Sequence, residues 1–391
     1  MTRGPDTRSA PVIVAARRSA IGTAGRSFAS HTVDAIAAPV LAEVAAAVAP
    51  SGLQIDDVVV GNCMGPGGDV ARVAALRAGL DSSVPAVTVD RQCGSGLDAV
   101  MQAAARVAAG HGELFLAGGA ESASTAPHRS WPDSGERYSR APFAPTGFPD
   151  PDMGPAADRL AAVRGISRER QDAWAARSHA RAAAAQASGV FDGEIVVIDG
   201  VARDDRPRAS MNADRLARFA PAFSSAGGTT GAGTGTGTVT AGNACGFSDG
   251  AAMMAVTTGR VARDLGLPSL RVVAAAVTGS DPELPGLGAA PAARLALARA
   301  GLVAADLGFA EITEAFAAQL LAVGDELALD ESIISGDGGA IALGHPWGAS
   351  GAVLLVRLAA RMIASDDARP GLAACSIGGG QGIAMIVERT A

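Results

Sequence analysis

The chain has few of the residues that mark nucleic-acid and membrane proteins. Only 4% of its 391 residues are aromatic and 18% are charged, and the formal charge of −7 comes with no run of Lys or Arg interleaved with aromatic residues. Because nucleic-acid binding needs a basic surface, no polynucleotide partner is expected. The first apolar run, Val12–Ala16, is too brief for a signal segment or a membrane span. We therefore expect a cytoplasmic protein without membrane association.

Cysteine is also scarce, and its spacing excludes two common roles. The four cysteines are far apart and form no C-x-x-C pair, so neither a disulfide framework nor a zinc site is predicted. Each is then either a small core residue or a nucleophile. They are Cys63, Cys93, Cys245 and Cys375.

Small apolar residues and glycine are abundant. A hydrophobic content of 48% indicates a packed protein, 50 glycines indicate many tight turns, and the length of 391 residues predicts two or three compact units. Short β-rich runs alternate with Ala-rich helical stretches, which predicts βα units around a mixed, buried sheet. Strands are expected at 12–15, 58–61, 114–117, 272–277, 310–313, 372–377 and 383–387, and helices at 33–49, 97–109, 292–300, 314–327 and 352–363.

Two halves of the chain resemble each other. The segments 93–97 (CGSGL) and 348–352 (GASGA) each open an apolar helix, and their matching order favours an internal duplication. The stretch between the halves is richer in Pro, Arg and Asp and contains a long helix around 169–187, which indicates an inserted subdomain. We therefore divide the chain into residues 1–117 with 246–268, an inserted loop domain at 118–245, and residues 269–391.

A glycine-rich segment lies inside the inserted region. Gly227–Gly237 lacks the Lys-Ser/Thr ending of a phosphate-binding loop. It is expected to be a flexible surface insertion.

Cys93 is the strongest candidate nucleophile. It follows the strand-like run Ala86–Val89 and precedes Gly94-Ser95-Gly96 and a helix. At such a turn the free N–H groups and the helix dipole are expected to lower the thiol pKa, and the glycines let a thioester carbonyl approach backbone donors. A structural role as a small buried side chain remains the alternative.

One of the five histidines stands out as a base. His31, His111 and His179 lie on or beside helices among polar residues and are expected at the solvated surface. His345 instead lies in a glycine-bounded apolar segment directly before the second helix start. If the halves are duplicated, the Cys93 and His345 turns face each other, which would supply a nucleophile with an adjacent base.

Six segments spread over nearly the whole chain carry a recognisable pattern. They are DRQCGSGLDAV (90–100), AGGAESASTAPH (117–128), TVTAGNACGFSDGAA (238–252), TEAFAAQ (313–319), GGAIALGHPWGASG (338–351) and SIGGGQGIAM (376–385). In this order and with this spacing they closely resemble the signature segments of thiolases. The resemblance implies an α/β fold of five αβαβα layers, with two similar halves and an inserted loop domain, assembled as a homodimer or homotetramer. It also implies acyl-CoA substrates, with coenzyme A as a substrate and no tightly bound cofactor.

The implied activity is an acyl-CoA C-acyltransferase that cleaves 3-ketoacyl-CoA with CoA or condenses an acyl-CoA with acetyl-CoA. In thiolases the cysteine matching Cys93 is acylated and the histidine matching His345 activates it. Ser376 stands where thiolases have a second, proton-transferring cysteine, and Cys375 precedes it. Because adjacent strand residues face opposite sides, Cys375 is expected to point away from the site unless a bulge intervenes. Thr313 replaces an asparagine that helps to hold an oxyanion-hole water.

These departures leave two alternatives. The protein could be a thiolase-like acyl-CoA-binding protein with weak or no carbon–carbon chemistry, owing to Ser376 and Thr313. It could also be a decarboxylating ketosynthase or a thioesterase-like enzyme, because the Cys–His pair is shared across the wider superfamily.

The resemblance also implies a set of CoA-side contacts. The alternative for Met153 and Phe316 is core packing, and for Arg208 it is a solvated surface charge. The residues concerned are Met153, Arg208, Ala241, Cys245, Phe316 and Gly378.

Overall fold

Strands and helices alternate along most of the chain, as the hydrophobic pattern predicts. The computed structural model describes residues 9–138, 140–223 and 237–390. The strands are β1 (Pro11–Ser19), β2 (Gly22–Thr23), β3 (Asp57–Gly61), β4 (Ala86–Val89), β5 (Leu114–Ser122), β6 (Arg129–Ser130), β7 (Arg137–Tyr138), β8 (Ile195–Val196), β9 (Ser248–Thr258), β10 (Leu270–Gly279), β11 (Phe309–Ile312), β12 (Gly371–Ile377) and β13 (Gln381–Arg389). The helices are α1 (Val33–Val48), α2 (Val70–Arg77), α3 (Ser95–Ala108), α4 (Met153–Arg164), α5 (Arg168–Ala187), α6 (Ala213–Leu216), α7 (Gly259–Asp264), α8 (Ala289–Ala300), α9 (Ala317–Leu327), α10 (Ala340–Leu343) and α11 (Trp347–Ala364).

The main sheet joins two similar halves edge to edge. Its strand order is β11-β12-β13-β10-β1-β9-β5-β3-β4, with β1 and β10 antiparallel at the junction. Only two residue pairs, Val12 with Arg271 and Ile13 with Leu270, form that junction. Each half therefore forms a mixed sheet of its own, which agrees with the duplication predicted from the sequence.

Three hydrophobic clusters separate five layers. The central cluster packs α3 and α11 between the inward faces of both half-sheets, with Leu97 and Leu355 among its fully buried residues. A second cluster packs α1 on the outer face of the first half, and a third packs α8 and α9 on the outer face of the second. The order helix, sheet, helix, sheet, helix confirms the predicted fold class.

Glycines let the two central helices approach at their N-terminal ends. A β-carbon at Gly96 would lie 2.8 Å from the Ala352 nitrogen, and one at Gly351 would lie 2.5 Å from the Leu97 nitrogen. Because only a hydrogen occupies each position, α3 and α11 meet backbone to backbone. The repeated Gly/Ser pattern therefore marks the crossing that places the turns before both helices side by side.

Some elements differ from the sequence prediction. Strand β9 was not predicted, because all eleven of its residues are buried and its side chains show no apolar–polar alternation. Helix α11 begins at Trp347, five residues before the predicted start, and α9 begins at Ala317 because Phe316 is extended and pairs with Ala244. The predicted insertion Gly227–Gly237 lies, apart from Gly237, outside the described residues. The proposed domain limits at 118, 246 and 269 stay a prediction.

Two helical stretches are apolar and long enough to cross a bilayer by length and composition alone. They are residues 33–51 and α11, and 72% of the latter is buried inside the molecule. Since α11 is a central core helix and α1 covers a sheet face, protein packing accounts for both compositions.

Candidate active site

A tight turn between β4 and α3 presents Cys93. Gln92, just before it, has the left-handed φ of 47°, and its carbonyl accepts the Ser95 hydroxyl at 2.6 Å. The same Ser95 oxygen accepts the Arg91 N–H at 2.7 Å, and Asp90 accepts the Gln92 N–H at 2.8 Å. These hydrogen bonds fix a sparsely populated backbone conformation that leaves Cys93 half-buried at the start of α3.

His345 reaches Cys93 from the opposite half of the molecule. Its Nε2 lies 3.3 Å from Cys93 Sγ, and its Nδ1 lies 2.5 Å from Ser350 Oγ. The Ser350 hydroxyl donates its own proton to the Pro346 carbonyl at 2.9 Å, so it accepts from the imidazole. We infer that the proton sits on Nδ1, which leaves the lone pair of Nε2 directed at the thiol. The predicted meeting of the Cys93 and His345 turns is thus present.

Burial sets the charge state of this pair. It lowers the pKa of His345 to about 4, so the imidazole is neutral near pH 7. Burial also raises the pKa of Cys93 well above its ordinary value, and the neighbouring thiols of Cys375 and Cys245 raise it further. The expectation of a lowered Cys93 pKa is wrong for the resting site, because desolvation outweighs the backbone N–H that favours the thiolate. The resting pair is therefore a thiol beside a neutral base.

Cys375 points toward Cys93, not away from it. Its thiol donates to the Cys93 carbonyl at 3.3 Å and is fully buried. Strand β12 pairs with β13 without a register shift, so no bulge produces this orientation. Adjacent residues of β12 still face opposite sides of the sheet, but Cys375 is the one that faces Cys93, the reverse of the orientation expected from the sequence. Burial raises the pKa of Cys375 to about 12, and the Thr313 hydroxyl partly opposes that shift.

Ser376 faces the other side of β12. Its hydroxyl donates to the Gly286 carbonyl at 2.7 Å and accepts the Ala289 N–H at 3.0 Å. Ala289 is the first residue of α8, so the Ser376 oxygen lies at the positive end of a helix dipole. The side chain is half-buried, whereas Cys375 is closed to solvent. In the described part of the chain no hydrogen bond joins Ser376 to Cys93 or His345.

Thr313 lies on the Cys375 side of the sheet. It follows β11, is 2% exposed, and its hydroxyl has no standard hydrogen-bond partner among the described residues. It lines a small cavity of about 20 Å³ that also touches Gly344 and Ser350. A cavity of that size has room for one water.

Some of the residues expected on the CoA side lie near the Cys93–His345 pair, and others lie farther out. Phe316 packs edge-on against Phe223 with ring centroids 6.4 Å apart, and Phe223 in turn contacts Gly154, the residue after Met153 at the start of α4. Cys245 is half-buried and interacts electrostatically with Cys93. Ala241 and Arg208 are exposed, and Gly378 lies under Phe143. Cys245 thus borders the Cys93–His345 pair, whereas Arg208 lies farther out beside His179.

Comparison with known proteins agrees with this geometry. Residues 11–260 match the model "Thiolase, N-terminal domain" and residues 267–389 match "Thiolase, C-terminal domain". The chain belongs to the thiolase family.

Individual thiolase relatives match nearly end to end. The acetyl-CoA acetyltransferase of Allochromatium vinosum is 42% identical over 97% of this chain and 98% of its own. The 3-ketoacyl-CoA thiolase of Escherichia coli is 43% identical over 86% of this chain and 87% of its own. The crystal structure of the Bacillus anthracis acetyl-CoA acetyltransferase superposes with a TM-score of 0.88 at 36% identity, covering 97% of this chain and 99% of that one. The prediction of a thiolase-family acyltransferase is confirmed, and the reading as a mere acyl-CoA-binding protein is not favoured.

Two buried glutamates of this thiolase hold the catalytic turns, and sequence reasoning missed both. Glu314 accepts hydrogen bonds from Trp174 at 2.9 Å, Ser178 at 2.6 Å and the Ile341 N–H at 3.2 Å, which fixes the segment leading to His345. Glu121 accepts the N–H groups of Cys63 and Gly348 and so ties β5 to the start of α11. Their signal was a glutamate near the end of a buried strand, Glu121 inside β5 and Glu314 two residues after β11, within the quoted segments 117–128 and 313–319.

The histidine prediction was wrong at one position. His179 is only 3% exposed, and its Nδ1 has no hydrogen-bond partner among the described residues. It lies on α5, which has many polar residues but packs one face against α9 and α10. His111 is exposed as expected, and His31 pairs with Asp199 at 2.8 Å.

Proposed function

We propose that this chain is an acyl-CoA C-acyltransferase whose Cys93 carries the acyl group as a thioester. The observation that supports it most is the 3.3 Å contact between Cys93 Sγ and the lone-pair nitrogen of His345. A neutral imidazole at this distance can take the thiol proton as the sulfur attacks a carbonyl carbon. The pair is thus suited to forming a thiolate only when an electrophile is bound.

The proposed thiolytic cycle has two halves. First, Cys93 Sγ attacks the 3-keto carbon of a 3-ketoacyl-CoA, and the bond between C2 and C3 breaks. The acetyl-CoA carbanion takes a proton at C2, and the shortened acyl chain stays on Cys93. The thiol of a second CoA then attacks that thioester and gives its proton to the group that protonated C2. The Cys93 thiolate that leaves regains its proton from His345, and the product departs as acyl-CoA. The reverse sequence condenses an acyl-CoA with acetyl-CoA.

We assign the second proton transfer, at C2, to Ser376, whose hydroxyl donates to the Gly286 carbonyl in this structure and has to turn toward Cys93 to make that transfer. It occupies the family position, it is the partly exposed member of the Cys375–Ser376 pair, and its oxygen accepts the first N–H of α8. That helix terminus favours an anionic oxygen. Because an alcohol ionises far less readily than a thiol, carbon–carbon turnover is expected to be slower than acylation. Thr313 would bind a water in the adjoining cavity in place of the usual asparagine.

The remaining expectations concern the setting of the reaction. We propose that Met153, Ala241, Cys245, Phe316 and Gly378 line the path of the pantetheine arm and that Arg208 meets a CoA phosphate. The protein would work in the cytoplasm on free acyl-CoA, without a tightly bound cofactor. A homodimer or homotetramer is proposed because β4, whose residues are all half-buried, lies at the open edge of the sheet.

Mass spectrometry and turnover test the function together. Incubation with acetyl-CoA should add one acetyl group, located on Cys93 by peptide mapping, and acetoacetyl-CoA with CoA should lose the absorbance of its acetoacetyl enolate. Cys93→Ala should do neither, while Cys63→Ala, which removes a thiol that donates to the Gln92 carbonyl in the neighbouring turn, should retain the acetyl adduct. An adduct that persists in Cys93→Ala would overturn the assignment.

A further inference from the structure

Arg206 is a largely buried cation without a carboxylate partner in the part of the chain that the structure describes. Within that part its guanidinium makes one long hydrogen bond, from Nη2 to the Ile341 carbonyl at 3.4 Å, and its Nε has no partner. In the described part of the chain it forms no ion pair. By contrast, the two fully buried arginines are each bound by carboxylates, Arg18 by Glu194 and Asp204, and Arg357 by Glu194 and Asp337. A buried guanidinium without such a partner is costly unless a ligand supplies the anion.

The side chains of His179 and Arg208 lie near Arg206. Burial, together with the positive charges of Arg206 and Arg208, lowers the pKa of His179 to about 4. Arg208 and Arg206 also repel each other, and burial lowers the pKa of Arg206. Among the described residues no carboxylate pairs with Arg206 or Arg208, so these two guanidinium groups, with the neutral imidazole of His179 beside them, are open to an anion.

The cluster borders the route to the nucleophile. A β-carbon at Gly246 would lie 2.3 Å from Arg206 Nη1, so the guanidinium packs directly on the segment that carries Cys245. Cys245 interacts electrostatically with Arg206 on one side and with Cys93 on the other. The Ile341 carbonyl that Arg206 contacts lies four residues before His345.

We propose that Arg206, assisted by His179 and Arg208, binds an anionic oxygen group of the acyl-CoA substrate. This inference rests on the proposed function and adds a specificity-determining residue to it. The anion is either a CoA phosphate or a carboxylate at the far end of the acyl chain, since the guanidinium fork suits both. In the second case the enzyme takes dicarboxylic 3-ketoacyl-CoA substrates.

Three substrates, tested on the Arg206→Met variant, distinguish a CoA phosphate from a carboxylate on the acyl chain. The variant keeps the length of the side chain and removes its charge. The substrates are acetoacetyl-CoA, the acetoacetyl thioester of pantetheine, which lacks phosphates, and 3-oxoadipyl-CoA, which ends in a carboxylate. A phosphate site predicts that KM rises roughly 10- to 100-fold for both CoA substrates and not for the pantetheine thioester. A carboxylate site predicts that rise for 3-oxoadipyl-CoA alone, with Arg206→Lys intermediate. Unchanged KM for all three substrates would overturn the proposal.

A binding assay separates this inference from the proposed function. Calorimetry with desulfo-CoA and with a non-reactive adipyl thioether of CoA needs no turnover. Affinity for at least one of them should fall in Arg206→Met and persist in Arg203→Met, which removes an exposed arginine of the same segment. If wild type lacks turnover but shows this pattern, the function fails and the site stands. Equal affinities in Arg206→Met and wild type, or a lower thermal midpoint of Arg206→Met with unchanged affinity, would show that the cation serves structure only.

Discussion

At the residue scale, the site is governed by how deeply each titratable group is buried. The same desolvation that keeps His345 neutral also keeps Cys93 protonated, so neither is charged before substrate binds. Reactivity then depends on geometry, namely on the Nε2 lone pair that Ser350 directs at the thiol.

This arrangement predicts a flat pH dependence for acylation near neutrality. Because the pKa of His345 is lowered to about 4, the base is fully available above about pH 5 and is lost as the pH falls through 4. Single-turnover release of CoA from acetyl-CoA, measured between about pH 5 and pH 8, should therefore be nearly constant. Ser350→Ala should slow this step by roughly 100-fold because the imidazole tautomer is no longer fixed. An inflection near pH 6.5 in wild type would contradict the buried, neutral base.

The end of β12 gives a second prediction at this scale. Ser376→Cys should speed cleavage of acetoacetyl-CoA by CoA, since a thiol exchanges the C2 proton more readily, while the acetylation rate of Cys93 stays the same. The matched variant Cys375→Ala removes a thiol that faces the Cys93 carbonyl. It should leave the ratio of cleavage to acetylation unchanged. A selective loss of cleavage in Cys375→Ala would transfer the proton-transfer role to Cys375.

At the element scale, the crossing of α3 and α11 sets the distance between the nucleophile and its base. Cys93 precedes one helix and His345 the other, and their first turns touch through Gly96 and Gly351. A side chain at the crossing would push the two turns apart, because the nearest atoms are backbone and cannot rotate away.

Gly351→Ala tests this crossing. Its methyl group would lie 2.5 Å from the Leu97 nitrogen, so the variant should lose about 1–3 kcal/mol of unfolding free energy in urea and acetylate more slowly. Gly193→Ala is the control, because a β-carbon there meets no atom within 4 Å and the substitution should change neither quantity. Equal stability of both variants would show that the helices have room to move apart.

At the scale of the whole molecule, a buried ionic network joins the two halves to the inserted region. Glu194 lies between Arg18 of β1 and Arg357 of α11, and both guanidinium groups stack on Phe191, with the carbon of each guanidinium 5.1 and 4.7 Å from the ring centroid. Asp204 completes the partners of Arg18 at 2.7 Å. The network thus fixes the region around 191–204 to both halves.

Glu194→Gln should therefore be strongly destabilising. It leaves two buried arginines short of a counter-charge, a loss of about 3–5 kcal/mol in the free energy of unfolding. Glu113→Gln, which breaks the exposed pair with Arg260, should barely move the thermal midpoint. If calorimetry found equal midpoints for the two variants, the network would contribute no more than a surface pair.

The amino-acid sequence determined the layered α/β architecture, the pairing of Cys93 with His345 and the family. These follow from local patterns: alternating apolar runs, a Gly/Ser helix start repeated in each half, and short motifs in a fixed order. The tertiary structure alone decided which way Cys375 and Ser376 face, that β9 is a strand buried on both sides, and that His179 and Arg206 lie inside. Each depends on contacts between segments far apart in the chain, and desolvation, which sets the Cys93 and His345 pKa values, is a property of those contacts.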